Sequence, residues 1–260
     1  MPDASRWTTF LPRARRFLAA RFDRKSQVGI GLTISVLVFA LAVWALSGLL
    51  DAVLDNDWLV RLDAIVESWF HTHATATGLA VFNGVTQLGS PVSVAVVAAV
   101  VALYLWRVGA HLLLWAWLGT NAGGAVVEYV LKATVHRTRP QYAAAYLHGH
   151  SYSFPSGHTM GSTVCYFLLA YLISSHPGVT VRARRVVSAA AVLLVGAIGF
   201  SRLYLGVHYP SDVLGGCMAG LAWLALCGGV RRIFIVREGL LHAGWNRPIQ
   251  GDDARTAPLG

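Results

Sequence analysis

Six stretches of this chain carry no lysine, arginine, aspartate or glutamate: residues 26–50, 72–106, 108–127, 141–181, 186–201 and 213–230. A soluble domain would leave much of that apolar surface in water, whereas a bilayer requires about 17–25 such residues for each spanning helix. Composition agrees, since the 260 residues are 55% hydrophobic and 13% charged, with a mean hydropathy of +0.55. The runs predict an all-α, polytopic membrane protein with six transmembrane helices, the fourth over 159–174. The membrane domain is expected over 26–236, between a basic segment (1–25) and a tail (237–260).

A formal charge of +9 on a soluble domain would suggest nucleic acid. Its distribution argues against that partner. Seven cations precede the first run, Arg107 follows the second, Arg182, Arg184 and Arg185 follow the fourth, and five more follow the sixth. If six spans alternate, all of these fall on one side, which the positive-inside rule assigns to the cytoplasm together with both termini. The first outer connection carries Asp51, Asp55, Asp57, Asp63 and Glu67 against Arg61. Lys132, Arg137, Arg139 and Arg202 then stand on the outer side against the trend, and they need another purpose.

Smaller features are weaker guides. Phe17, Leu18 and Phe22 alternate with arginines over 13–25, a pattern that suits either an amphipathic helix on an anionic leaflet or plain topogenic charge. Cys165, Cys217 and Cys227 lie in apolar runs without metal-ligand spacing and are expected to pack as small hydrophobes. The spacings Gly119/Gly123 and Gly216/Gly220 predict close helix approaches.

Alternation places three polar islands on the outer face: "KATVHRTRP" at 132–140, "SFPSGHT" at 153–159, and the connection between the last two runs, which holds Arg202, His208 and Asp212. Charged groups at a membrane boundary cost several kcal/mol unless paired or functional. In the second island Pro155 suits a first helical turn, after which the N–H groups of Ser156, Gly157 and His158 would point from a helix N-terminus, a site for an anion. Pro140 disfavours helix at Arg139, so the chain is expected to turn there and bring the guanidinium toward Lys132. Glu128, one turn before Lys132, is expected to pair with it. Asp212, four residues after His208, can accept one imidazole N–H and leave the other nitrogen free to act as a nucleophile. Three cations and a helix N-terminus to hold a phosphoryl group, His208 to attack it and His158 to protonate the leaving oxygen describe phosphoryl transfer by positioning and electrostatics. No acidic cluster suited to magnesium lies on this face, so neither metal nor cofactor is expected.

Lys132-x6-Arg139-Pro140, Pro155-Ser156-Gly157-His158 and Ser201-Arg202-x5-His208-x3-Asp212 resemble, without departure, the three-part signature of the type 2 phosphatidic acid phosphatase superfamily. The resemblance implies that Lys132, Arg139 and Arg202 bind phosphate, that Ser156 and Gly157 contribute hydroxyl and backbone, that His158 is the general acid, and that His208 is the nucleophile with Asp212 as its partner. It also implies a bacterial inner-membrane enzyme with an extracytoplasmic site, acting on a lipid phosphate or diphosphate. Undecaprenyl or another prenyl diphosphate is the first expectation, with phosphatidylglycerophosphate and phosphatidic acid as alternatives. A phosphotransferase of the same superfamily is a further alternative. Vanadium haloperoxidases resemble the anion site but are soluble, and a transporter or scaffold would not need every catalytic position filled.

Overall fold

The computed structural model describes residues 27–55, 58–141 and 152–245. The basic segment 1–25 with its amphipathic pattern, Asp57, residues 142–151 of the second outer connection and the end of the tail lie outside these described residues. The described chain is helical, in the order α1 (Gln27–Leu54), α2 (Trp58–His73), α3 (Ala76–Gln87), α4 (Pro91–Arg107), α5 (His111–Val135), α6 (Gly157–Ser175), α7 (Val181–Tyr204) and α8 (Pro210–Trp245). By its contacts the chain divides into two compact units, 1–35 with 228–260 and 36–227. Everything that concerns the candidate site lies in the second.

Among the described residues, four segments are long and apolar enough to cross a membrane: Ile30–Leu54, Ala76–Arg107, Val181–Tyr204 and Pro210–Val230. Six had been expected. The two others, α5 and α6, are full-length helices but carry polar groups inward. Thr159, Ser162 and Thr163 of α6 are buried, and α5 holds Glu128 and Lys132. Their mean hydropathy falls because they face protein and site rather than lipid alone. Elsewhere the outer faces are apolar, with Leu112 84%, Trp44 75%, Val92 73% and Leu193 72% exposed. That surface is stable only in a hydrocarbon solvent.

The second apolar run is one helix interrupted by a turn. Ser90 is the N-cap of α4, accepting the Ser93 N–H at 3.2 Å, and Pro91 takes the first helical position, where its missing N–H costs nothing. At the preceding connection Thr75 caps α3 by accepting the Gly78 N–H at 3.1 Å.

Helix α6 lies at the centre of the second unit, touching α4, α5 and α7, while α7 also packs on α2 and α3. Cys165 is fully buried beside Leu105, Leu114 and Trp117, and the Trp117 indole donates to the Ala98 carbonyl at 3.0 Å. The glycine expectation holds in part. A Cβ on Gly216 would lie 2.7 Å from the Ser156 carbonyl oxygen, and one on Gly220 2.9 Å from Thr163 Cβ, so α8 meets α6 almost backbone to backbone. A Cβ on Gly123 would meet the Trp223 ring at 2.3 Å, but Gly119 has nothing within 4 Å and makes no such approach.

Candidate active site

The first island begins where α5 ends. His136 takes a left-handed φ of 51° and its N–H closes on the Lys132 carbonyl at 3.3 Å, so the helix stops at Val135 rather than turning at Arg139. Residues 136–140 are non-helical, which sends the guanidinium groups of Arg137 and Arg139 to separate partners. Lys132 stays in the last turn of α5 and pairs with Glu128 at 2.8 Å, as the spacing predicts. Arg139 reaches the connection between α7 and α8. Its Nη1 donates to the Val207 carbonyl at 3.1 Å and lies 3.2 Å from His208 Nε2.

The second island caps α6, with Ser156 as N-cap and Pro155 one residue outside the helix rather than in its first turn. The Ser156 N–H is committed to the Asp212 carbonyl at 2.9 Å. That leaves the N–H groups of Gly157 and His158 at the N-terminus, where the helix dipole favours an anion. The Ser156 hydroxyl is buried and accepts from Thr159 Oγ1 at 3.1 Å. Gly157 is held to glycine by close approach, since a Cβ there would lie 2.1 Å from Glu128 Oε1 and 3.0 Å from Lys132 Nζ.

The third island joins α7 to α8. Gly206, at a φ of 62°, supplies the left-handed residue that reverses the chain after α7, and the Val207 N–H returns to the Arg202 carbonyl at 3.1 Å. Pro210 then opens α8 with Asp212 in its first turn. This reversal sets His208 Nδ1 3.4 Å from Asp212 Oδ2. The imidazole is 2% exposed. Burial pushes its pKa down to about 4, against the opposing pull of Asp212 and with help from Arg139 and Arg202, so the ring is neutral at physiological pH. Arg202, 5% exposed, donates from Nη1 to Thr86 Oγ1 at 2.7 Å. Its buried Nε has no partner among the described residues. Arg202, His208, Lys132 and Arg139 all lie within electrostatic reach of the His158 ring. The structure thus brings together all eight residues singled out in the sequence.

It also adds residues that sequence reasoning passed over. Asp63, on α2, is 1% exposed and accepts from Arg137 Nη2 at 2.7 Å. Arg137 Nη1 reaches Asp212 Oδ1 at 2.7 Å and Ser211 Oγ at 2.6 Å, while Ser153 Oγ donates to Asp212 Oδ2. The only sequence signal for Arg137 was its place among the outer cations. Asp63 stood only among the acids of the first outer connection, and Ser153 only at the start of the second island.

The PAP2 superfamily profile matches residues 113–232. The chain is 32% identical over 152 residues to a Bacillus subtilis phosphatidylglycerophosphatase B, covering 57% of this chain and 73% of the relative. It is 34% identical over 107 residues to a Mycolicibacterium smegmatis decaprenylphosphoryl-5-phosphoribose phosphatase, covering 39% of this chain and 52% of that one. The fold resembles the crystal structure of a transmembrane PAP2-type phosphatidylglycerolphosphate phosphatase from Bacillus subtilis, with a TM-score of 0.66 at 24% identity, over 76% of this chain and 96% of that one. The likeness to the first relative, together with the apolar helices described above, carries the assignment: the chain belongs to the PAP2 superfamily, as a multi-pass membrane lipid phosphatase of that type.

Proposed function

We propose that this chain hydrolyses a lipid-anchored phosphate or diphosphate at the extracytoplasmic face of a bacterial inner membrane, through a phosphohistidine on His208 and without a metal ion. The observation that carries the reading is the buried neutral imidazole, with Nδ1 toward Asp212 and Nε2 toward Arg139. The Nε2 lone pair forms a bond to phosphorus as the P–O bond to the leaving group breaks, and His158 gives that oxygen its proton. Water then attacks phosphorus, His158 takes the water's proton, and the N–P bond returns its electron pair to His208. Lys132, Arg139, Arg202, the Ser156 hydroxyl and the N–H groups of Gly157 and His158 hold the phosphoryl oxygens. The partnerless Nε of Arg202 fits a donor kept for that anion.

A lipid rather than a soluble ester is supported by depth. The apolar run before Arg202 has 16 residues (186–201), about 24 Å at helical rise, which sets the guanidinium at or slightly below headgroup level. An outward-facing site favours carriers presented at the outer leaflet, hence undecaprenyl or another prenyl diphosphate. A second reading, phosphatidylglycerophosphate, is favoured by the 32% identity to a protein named for that activity. Phosphate release by the purified protein in matched detergent micelles separates them. We expect higher kcat/KM for undecaprenyl or farnesyl diphosphate than for phosphatidylglycerophosphate or phosphatidic acid, with full activity in EDTA. Equal or better turnover of the glycerolipids would favour the second reading, and loss in EDTA with rescue by magnesium would sink the metal-free mechanism. Orientation is tested apart from substrate, by single cysteines at Tyr152 and Arg184 in a cysteine-free background. Labelling from outside and inside, respectively, is expected, and the reverse would turn the site to the cytoplasm.

A further inference from the structure

We propose that Asp63 and Arg137 are positioning residues that fix the Asp212 carboxylate, and through it His208, so that α2 belongs to the working site. The inference rests on the reading of His208 as nucleophile. The Arg137 side chain is 9% exposed and lies between two carboxylates that are themselves 1% and 0% exposed. It stacks on the Tyr209 ring, 4.4 Å from its centroid. Burial alone would lower its pKa, but Asp212 and Asp63 outweigh that and raise it, so the guanidinium stays charged. Asp63 is fully occupied in return, accepting the Ser211 N–H at 3.0 Å and the Ser211 hydroxyl besides Arg137.

The consequence falls on Asp212. Its Oδ1 is held by Arg137 at 2.7 Å, and its Oδ2 by the Ser153 hydroxyl and the Tyr209 N–H at 2.9 Å. The contact to His208 is the longest of the set at 3.4 Å. The carboxylate plane is therefore set by Arg137, Ser153 and Tyr209, and the imidazole is aligned to a carboxylate already fixed. Charge supplies the second half of the argument. When Nε2 bonds phosphorus the ring becomes cationic, and Asp212 must stay ionised to offset it. Arg137 alone would neutralise Asp212, but Asp63 returns the trio to one net negative charge. Aiming and charge balance are thus achieved together, which a bare ion pair at this depth would not do.

Charged and titratable groups face His208 from every side: Asp212 of α8, Arg139 from the segment after α5, Arg202 of α7 and His158 of α6. In that field Arg137→Gln removes a cation and leaves Asp63 and Asp212 acting on the imidazole. Its pKa rises, and the acid limb of kcat/KM moves to higher pH, by about one unit. Asp63→Asn removes an anion, and the limb does not move up. We expect Arg137→Gln to lower kcat at least about 10-fold with little change in KM, and Asp63→Asn/Arg137→Gln to be no worse than Arg137→Gln alone, because Asp63 acts through Arg137. Arg137→Lys keeps the charge but cannot bridge two carboxylates, so kcat falls with the limb in place. This variant carries the test if Arg137→Gln does not fold. Wild-type kcat in Arg137→Lys, or an acid limb in a folded Arg137→Gln that stays put while only thermal stability falls, overturns the proposal. Failure of the functional reading looks different, since wild type itself would then release no phosphate from any lipid phosphate.

Discussion

His208→Ala is expected to abolish turnover, by at least about 10^4-fold, and to abolish any trapped phosphoenzyme. His158→Ala is expected to lose about 10²–10⁴-fold on alkyl leaving groups and still to trap phosphate from an activated aryl phosphate, whose leaving oxygen needs no proton. The difference follows from placement. His208 is the buried ring with a carboxylate behind it, whereas His158 stands half-buried in the first turn of α6. Rapid quench at alkaline pH with radiolabelled aryl phosphate reads the trap directly. Equal loss of label in two well-folded variants would overturn the assignment of roles.

The second large effect concerns Arg202. Removing the guanidinium with Arg202→Met is expected to lower kcat/KM by about 10²–10³-fold, the cost of losing a preorganised donor to transition-state charge. Arg202→Lys restores little, because an ammonium cannot keep the Thr86 bond and reach a phosphate with a second prong. Thr86→Val keeps the charge and loses only the bond that holds it, so about a 10-fold loss is expected. Steady-state kinetics on one lipid phosphate ranks the three. Thr86→Val as damaging as Arg202→Met would mean that the guanidinium serves the fold and not the anion.

The signature residues were legible because their chemistry is local. A histidine four residues before an aspartate, and a proline-serine-glycine at a helix start, announce their geometry within one or two turns. The support behind them was not legible. Arg137 lies 74 residues from Asp63 and 75 from Asp212, and no periodicity in sequence expresses a contact across that distance. Charge-free runs predict six spans, whereas only four described segments are apolar enough over their length to cross a membrane, and the helices that bury Thr159 and Thr163 or carry Glu128 and Lys132 are not among them. One missed feature did have a signal. Gly89-Ser90-Pro91 combines a turn residue, a capping residue and a first-turn proline, enough to place the break inside the second apolar run.

The bond from the Ser211 N–H to Asp63 joins residues 148 apart in sequence. At roughly 5–20 residues per second of synthesis, the carboxylate waits on the order of ten seconds for its partner. Each helix can insert on its own, as the two-stage picture of membrane folding holds, but the bonds from Ser211 to Asp63 cannot form until α8 has entered. The order of assembly therefore leaves the Asp63–Ser211 and Arg137–Asp212 contacts unmade until α8 is in place.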